Sequence, residues 1–235
     1  MHENKPKLDR HSTVARIVTD HPATARIFQR RGIDYCCHGN VSVPQACAVA
    51  RVDPDEVFAE LDLALAAQGA SADPDPRTLS DAALITLVVE RHHGYLRRAL
   101  PYIAPIMAKV AKVHGPRQGG LGRLEEVVRT LAESLVPHLD QEEAVLFPLL
   151  LSRTPDPAKV RQELAQMHEE HLAVGDLLAQ VRKLTDRFTT PGWGCNTYRV
   201  LMAELEALEG DILRHVHLEN HVLAPRFGLA FTQAA

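Results

Sequence analysis

Two segments of the chain repeat the same pattern of histidine, glutamate and proline. One begins at His138 and carries Glu142 four residues later; the other begins at His215 and carries Glu219 four residues later. Aligned without a gap, the segments share His, Glu, Val, Leu and Pro at five positions, 77 residues apart. Residues four apart on an α-helix differ by about 40° around the axis and lie one turn apart. Within each segment, the His and the Glu can therefore reach the same metal ion.

Single histidines precede both segments at matching distances. His93 lies 45 residues before the first segment and His171 lies 44 residues before the second. This spacing predicts two helical hairpins, each presenting one His and one His-x-x-x-Glu pair. Together they would place four imidazoles and two carboxylates in one core, from His93, His138, Glu142, His171, His215 and Glu219.

This ligand set indicates a two-metal carboxylate site within a helical bundle. Carboxylates can bridge two cations, and imidazoles suit iron, zinc and other first-row metals. Six protein ligands leave room for an oxo or hydroxo bridge and for an exogenous ligand such as O₂ or NO. One His-x-x-x-Glu alone is more often an exposed ion pair, but the repetition and the 13 histidines in 235 residues favour a metal site. Iron, manganese and zinc all remain open.

Neighbouring polar residues are expected to play lesser roles. His92 points about 100° away from its neighbour in the ligand set, which predicts a surface or outer position. His217 and His221 form a pair on another face, for which a solvated position is favoured over metal binding. His168 is a rival or outer partner of the ligands. Glu170 either orients an imidazole, as carboxylates around metal sites do, or is a solvated charge.

The elements that must position these residues are helices, because period-2 alternation typical of strands is not found. The fold class predicted is all-α, a four-helix up-down-up-down bundle preceded by a small helical domain. Long helices are expected over about 80–114, 121–152 and 157–188, and a fourth is expected to follow a turn at 189–194 and run to about 226. In the small domain, Pro22 begins and Gly32 ends one helix, and Asp53 caps another that starts at Pro54. The predicted domains are 1–70, a linker at 71–78 and the bundle at 79–235.

Composition excludes several classes of protein. The net charge of −4, from 26 basic and 30 acidic residues, argues against nucleic-acid binding. No apolar stretch approaches the about 20 residues that span a bilayer, and the amino terminus does not resemble a secretory signal. Cys36 and Cys37 are adjacent and could form a disulfide only in a strained ring, so a reducing cytoplasmic location is expected, with no membrane partner. A homodimer is left open.

The residues that carry the metal pattern resemble those of a known family. The four-helix part is similar to a hemerythrin-like domain, and the run from Asp34 to Asn40, with Cys36 and Cys37 at its centre, resembles the signature of the small domain in the RIC (repair of iron centres) family. His38 stands where that family typically has glycine. It either adds a ligand or lowers a thiol pKa, or it is a tolerated loop residue.

The resemblance implies a function and a cofactor. Its six iron ligands coincide with those selected by spacing, and they imply two non-haem irons with an oxo or hydroxo bridge and two bridging glutamates. It implies repair of iron–sulfur clusters damaged by nitrosative or oxidative stress, by donation of iron to damaged iron–sulfur proteins. The alternatives are enzymatic NO reduction with an electron donor, and NO or O₂ binding or sensing. Cys36 and Cys37 would relay electrons, iron or NO, or simply pack in a loop.

Overall fold

The described part of the chain folds almost entirely into helices. The computed structural model describes residues 8–67 and 74–231, and within them it contains no strand, only an isolated bridge between Thr13 and Ser42. None of the helices in these ranges is both long and apolar enough to cross a bilayer. The α-helices are α1 (Val14–Asp20), α2 (Ala25–Arg31), α3 (Val43–Ala50), α4 (Pro54–Ala67), α5 (Asp81–Leu87), α6 (Gly94–His114), α7 (Leu121–Gln141), α8 (Phe147–Leu150), α9 (Pro157–Leu184) and α10 (Asn196–Leu218). The all-α prediction is confirmed.

The chain divides into two compact units that do not follow chain order. Unit 1 combines Met1–Ser80 with Leu213–Ala235, and unit 2 is Asp81–Ile212. The boundary between them therefore falls inside α10. The contiguous domains expected from the sequence stay a prediction, and residues 71–73 of the expected linker lie outside the described residues. The rest of that linker contains a 3₁₀ turn, Pro76–Thr78.

Unit 2 is built from long antiparallel helices whose apolar faces meet. In α7 the buried positions recur every three or four residues, as an amphipathic helix requires: Leu121, Leu124, Val128, Leu131 and Leu135. Helix α7 packs against both α6 and α9. Burial of each such side chain contributes about 1.5–3 kcal/mol, which holds the helices in the register that the site requires.

Helix α9 ends earlier than its sequence predicts. The expected end was Phe188, but the α-helix stops at Leu184. Asp186, Arg187 and Phe188 all have positive φ angles, of 48°, 57° and 62°. The backbone N–H of Phe188 donates instead to the hydroxyl of Thr185, at 3.0 Å. A side-chain acceptor that competes with the helical carbonyls ends the helix here.

Three stretches widen into π-helix, each next to a predicted ligand. The first, Val88–His93, ends at a ligand; the second and third, Glu142–Leu146 and Glu219–Leu223, begin at one. Pro148 and Pro225 follow the second and third. Proline cannot donate the hydrogen bond of a regular α-helix, so the ladder must rearrange nearby. Such bulges are frequent at functional sites.

Unit 1 packs short helices around an aromatic and aliphatic core. The left-handed Gly32 ends α2 (φ 69°), and the Asp53 carboxylate accepts the N–H of Asp55 at the start of α4, at 2.9 Å. Both helix boundaries were predicted. Phe28 and Tyr35 are fully buried, with ring centroids 6.5 Å apart. The small domain therefore has a core of its own.

A buried ion pair joins α9 to α10 within unit 2. The Arg182 Nε donates to Glu209 Oε1 at 2.8 Å, and Arg182 Nη2 donates to the other oxygen. The side chains are only 18% and 4% exposed. Arg182 also covers the Phe188 ring, 5.1 Å from its centroid. Removal of Glu209 would leave the largely buried Arg182 guanidinium without this carboxylate.

We expect Glu209→Ala to lower the free energy of unfolding by about 3–5 kcal/mol, because it leaves the Arg182 guanidinium without its carboxylate. The matched control is Glu133→Ala, which removes the exposed i,i+4 partner of Arg129 and should cost less than about 1 kcal/mol. Urea denaturation of both variants beside the wild type measures the difference. Equal losses would contradict a stabilising role for the buried pair.

Candidate metal centre

Glu142 lies at the centre of a buried cluster in unit 2. Its side chain is 2% exposed, and its Oε2 lies 3.3 Å from His93 Nε2. Its Oε1 lies 3.3 Å from His138 Nε2 and 4.0 Å from His171 Nε2. The two Nε2 atoms of His138 and His171 are 3.2 Å apart. The structure therefore brings four of the six predicted ligands together, with one carboxylate oxygen facing one imidazole and the other facing two.

The second copy of the motif also forms a buried pair. His215 Nε2 lies 3.0 Å from Glu219 Oε1, and the Glu219 side chain is 0% exposed. His215 lies in the last turn of α10, and Glu219 opens the π segment that follows. These two predicted ligands lie in unit 1. The pairing of His with Glu four residues later is thus present in both copies.

Outer carboxylates fix the tautomers of two ligand imidazoles. Glu143 Oε1 accepts from His93 Nδ1 at 2.9 Å and from Arg97 Nη2 at 3.0 Å. Glu170 Oε2 accepts from His138 Nδ1 at 2.6 Å. Because the proton resides on Nδ1, the Nε2 atom of each neutral ring presents its lone pair to the cluster.

The chemistry of this donor set fits a metal. The lone pair of a neutral imidazole repels a carboxylate oxygen that it faces at 3.3 Å. The repulsion is removed when a cation, or a second proton on the ring, lies between the two atoms. Nitrogen and oxygen ligands each about 2.0–2.2 Å from one metal ion would be about 3–3.5 Å apart. The distances of 3.0–3.3 Å lie in that range, and the 4.0 Å between His171 Nε2 and Glu142 Oε1 is longer. The buried His and Glu residues therefore form a metal-binding site.

The outer carboxylates are themselves held in the ionised form. Burial alone would raise the pKa of Glu143, but hydrogen bonds from His93 and Arg97 outweigh it and lower the pKa. Burial would likewise raise the pKa of Glu170, but hydrogen bonds from Gln166 and His138 lower it. A charged acceptor strengthens each imidazole as a ligand.

Of these outer groups, the sequence indicated Glu170 but not Glu143 or Arg97. The alternative in which Glu170 orients an imidazole is confirmed by its hydrogen bond to His138. Glu143 directly follows a predicted ligand in the chain, and a ligand imidazole usually needs an acceptor for its Nδ1 proton. These two facts together could have identified Glu143 as an acceptor for a ligand imidazole. Arg97 gave no signal, because its role depends on the angle between helices.

The expected solvated face of the fourth helix is instead buried. His217 is buried, its Nδ1 donates to the Tyr35 carbonyl at 3.2 Å, and its Nε2 lies 3.0 Å from the Thr19 hydroxyl. Burial and the nearby charge of His221 lower the pKa of His217 to about 3. The prediction of a solvated position was wrong, because residues of the small domain cover this side of the helix.

His92 also differs from a simple surface position. It is buried, and its Nδ1 lies 3.0 Å from Asp211 Oδ1. Within unit 2, His92 therefore links its own π segment to α10. His168, three residues before a ligand, is half-buried.

The two adjacent cysteines lie in a tight loop of unit 1. Cys36 and Cys37 are buried, and their Sγ atoms are 3.5 Å apart. Asp34 Oδ1 accepts the backbone N–H groups of both, at 2.9 Å each. His38 Nδ1 donates to Asp34 Oδ2 at 2.7 Å. His38, the departure from the family's glycine, thus forms a hydrogen bond with Asp34.

The charges in this loop oppose one another. Burial would raise the pKa of Asp34, yet hydrogen bonds from His38 and the loop N–H groups lower it to about 2. The pKa of Cys36 is raised by its contact with the Cys37 thiol, by burial and by the Asp34 charge. In the absence of a cation, the loop therefore holds a carboxylate next to a protonated Cys36 thiol.

Comparison with known proteins agrees with this arrangement. Residues 84–227 match the hemerythrin HHE cation binding domain, and residues 10–65 match a domain of unknown function, DUF542. The chain is 35% identical to the iron-sulfur cluster repair protein ScdA of Staphylococcus haemolyticus, over 92% of this chain and 97% of that one. It is 30% identical to the iron-sulfur cluster repair protein YtfE of Yersinia pseudotuberculosis, over 87% and 91%.

Both parts of the chain are therefore accounted for. The described helices of the larger part are those of a hemerythrin-like fold, as predicted. The cysteine loop lies within the stretch that matches DUF542. The chain belongs to the RIC family, in which a DUF542 domain precedes a hemerythrin HHE cation binding domain.

Proposed function

We propose that this protein repairs iron–sulfur clusters damaged by nitrosative or oxidative stress, by donating iron from a buried di-iron site. The observation that carries the proposal is the position of Glu142, whose two oxygens face His93 on one side and His138 and His171 on the other. A carboxylate placed in this way can bridge two cations. The relatives named as iron–sulfur cluster repair proteins support the same function.

Six residues would hold the two irons in this proposal. They are His93, His138, Glu142, His171, His215 and Glu219. Glu142 and Glu219 would each hold both irons, and the histidines would hold them through Nε2. The repeated motif supports the second half of the set, since His215 and Glu219 repeat the contact between His138 and Glu142. When bound, an iron pair with an oxo or hydroxo bridge supplies exchangeable iron and positions open to O₂ or NO.

The ligand set suits release of iron as well as its retention. It contains imidazoles and carboxylates only, and these ligands exchange metal more readily than closed thiolate sites do. The clients in this proposal are damaged iron–sulfur proteins of the cytoplasm.

The first test is metal content. Anaerobically purified wild type should hold two irons per chain with the Mössbauer and optical signature of an oxo-bridged pair. Glu142→Ala and Glu219→Ala should lose both the signature and most of the iron, because each removes a bridging carboxylate. Glu169→Ala, an exposed glutamate on α9, is the control and should keep both. One metal per chain, or zinc that is indifferent to the two substitutions, would overturn the di-iron assignment.

A second expectation concerns the carboxylate that orients His138. Glu170→Ala should weaken iron binding by about 10–100-fold, since loss of such an outer partner has this effect at other metal sites. The neighbouring Glu169→Ala should bind iron as the wild type does. Competition with a chromophoric chelator measures both affinities. Equal affinities would show that the His138–Glu170 hydrogen bond does not tune the site.

The function itself is tested by iron transfer. Iron-loaded wild type, mixed anaerobically with an iron–sulfur enzyme whose cluster has been damaged by NO, should restore the enzyme's activity and cluster spectrum and lose iron in proportion. Protein depleted of iron, and Glu142→Ala, should not. Formation of nitrous oxide from NO and a reductant, with no restoration of clusters, would support NO reduction instead and contradict iron donation.

A further inference from the structure

A second group of metal-ligating atoms lies in the cysteine loop of unit 1. Asp34 Oδ1, Cys36 Sγ and Cys37 Sγ, one ligand atom from each residue, all lie within 4.8 Å of one another. The two sulfurs are 3.5 Å apart, and Cys36 Sγ is 3.3 Å from Asp34 Oδ1. None of these residues belongs to the His and Glu cluster.

These distances match the edges of a tetrahedral metal site. Two sulfurs each about 2.3 Å from one metal ion would be about 3.8 Å apart. A sulfur at that distance and a carboxylate oxygen at about 2.0–2.2 Å would be about 3.5 Å apart. The observed edges of 3.5 and 3.3 Å are shorter by only a few tenths of an ångström. Two edges of the group are thus close to the spacing that a bound cation requires, and the third lies within 4.8 Å.

The loop is held in this form from several sides. The Cys36 carbonyl accepts hydrogen bonds from Asn220 Nδ2 at 3.1 Å and His221 Nε2 at 2.8 Å. A Cβ added to Gly39 would collide with the Tyr35 carbonyl oxygen and lie 2.8 Å from the Ala15 Cβ. The close approach of the chain at Gly39 therefore requires glycine. A loop fixed in advance needs little reorganisation to bind an ion.

Solvent reaches the group from its acidic side. The thiols are buried, but the side chain of Asp34 is 34% exposed and that of its partner His38 is 52% exposed. An ion can therefore approach along Asp34 and then meet the two sulfurs. Because His38 holds the other carboxylate oxygen, Asp34 Oδ1 stays directed at the Cys36 thiol.

We propose that Asp34, Cys36 and Cys37 bind one thiophilic divalent cation, with a fourth position open to an incoming ligand. Binding forms two metal–sulfur bonds and one metal–oxygen bond, and the two thiol protons leave to solvent. No electrons are transferred. Because binding releases protons, the affinity of the loop for the cation rises with pH.

The place of this site suggests its use. Asn220 and His221, which hold the Cys36 carbonyl, belong to the π segment that begins at Glu219. One helical stretch of unit 1 thus carries a proposed iron ligand and also anchors the cysteine loop. If the proposed iron donation is correct, on which this role rests, the cation is ferrous iron on its way to a client. The site itself does not depend on that function.

Cobalt(II) distinguishes the two kinds of site. A cobalt ion bound by thiolate shows a sulfur-to-metal charge-transfer band in the near ultraviolet, whereas one bound only by imidazole and carboxylate does not. Anaerobic titration of the reduced full chain with Co²⁺ should develop this band to one cobalt per chain. The band should persist in Glu142→Ala, so failure of the di-iron site and failure of the loop site are separate results.

Substitutions in the loop complete the test. Cys36→Ser and Cys37→Ser should abolish or strongly reduce the band, and Asp34→Asn, which keeps the acceptor oxygen but removes the charge, should weaken cobalt binding at least about tenfold. The controls are Cys47→Ser, a buried thiol of unit 1, and Cys195→Ser, an exposed thiol of unit 2. Both should behave as the wild type. Absence of the band, or its survival in Cys36→Ser, would overturn the proposal.

A measurement on the wild type guards against misfolded variants. Bound cobalt should protect Cys36 and Cys37 from alkylation under mild denaturation and leave Cys195 reactive, which mass spectrometry of peptides resolves. Equal labelling of the loop cysteines with and without cobalt would contradict the site, whatever the variants do.

Discussion

The burial of two carboxylates is the constraint on which the rest of the structure depends. Glu142 and Glu219 are almost completely removed from water, and an ionised carboxylate in such a place is strongly destabilising without compensating positive charge. Imidazole Nε2 atoms face both carboxylates, and Glu143 and Glu170 hold two of these rings, His93 and His138, by their Nδ1 atoms. In unit 2, long helices with many buried leucines supply the rigidity that holds the imidazoles around Glu142. The free energy gained by burying apolar side chains thus offsets the cost of burying these polar groups. A bound metal ion would lower that cost.

Sequence patterns predicted the parts of this centre that depend on spacing within one helix. His138 with Glu142, and His215 with Glu219, are in contact as expected, because residues four apart share a face in any nearly regular helix. The hairpin spacing likewise placed His93 and His171 beside the glutamate of the first motif. What the pattern did not contain was the π-helical widening, since it depends on how the ladder of hydrogen bonds adjusts around proline and around the site.

Other features depend on which surface covers which, and a single helix pattern does not contain that information. The face that carries His217 and His221 is polar and reads as solvated, yet it meets the carbonyl groups of the cysteine loop. Polar side chains are as suitable for anchoring a neighbouring backbone as for facing water. Glu143 was missed for a similar reason, since its partner His93 lies 50 residues earlier on another helix. The helix end at Leu184 was missed because a single threonine hydroxyl redirects the chain.

The π segment at Glu219–Leu223 sets a limit on chain length rather than on residue type. A π-helix is an α-helix that has accepted one extra residue, and one residue of an α-helix corresponds to about 100° of rotation. Deletion of any one residue there would restore regular winding and turn the two ends of the segment against each other by that angle. His215 and the anchors of the cysteine loop could then no longer both be satisfied. We therefore expect related chains to keep the length of this stretch and to place insertions and deletions in the loops between helices.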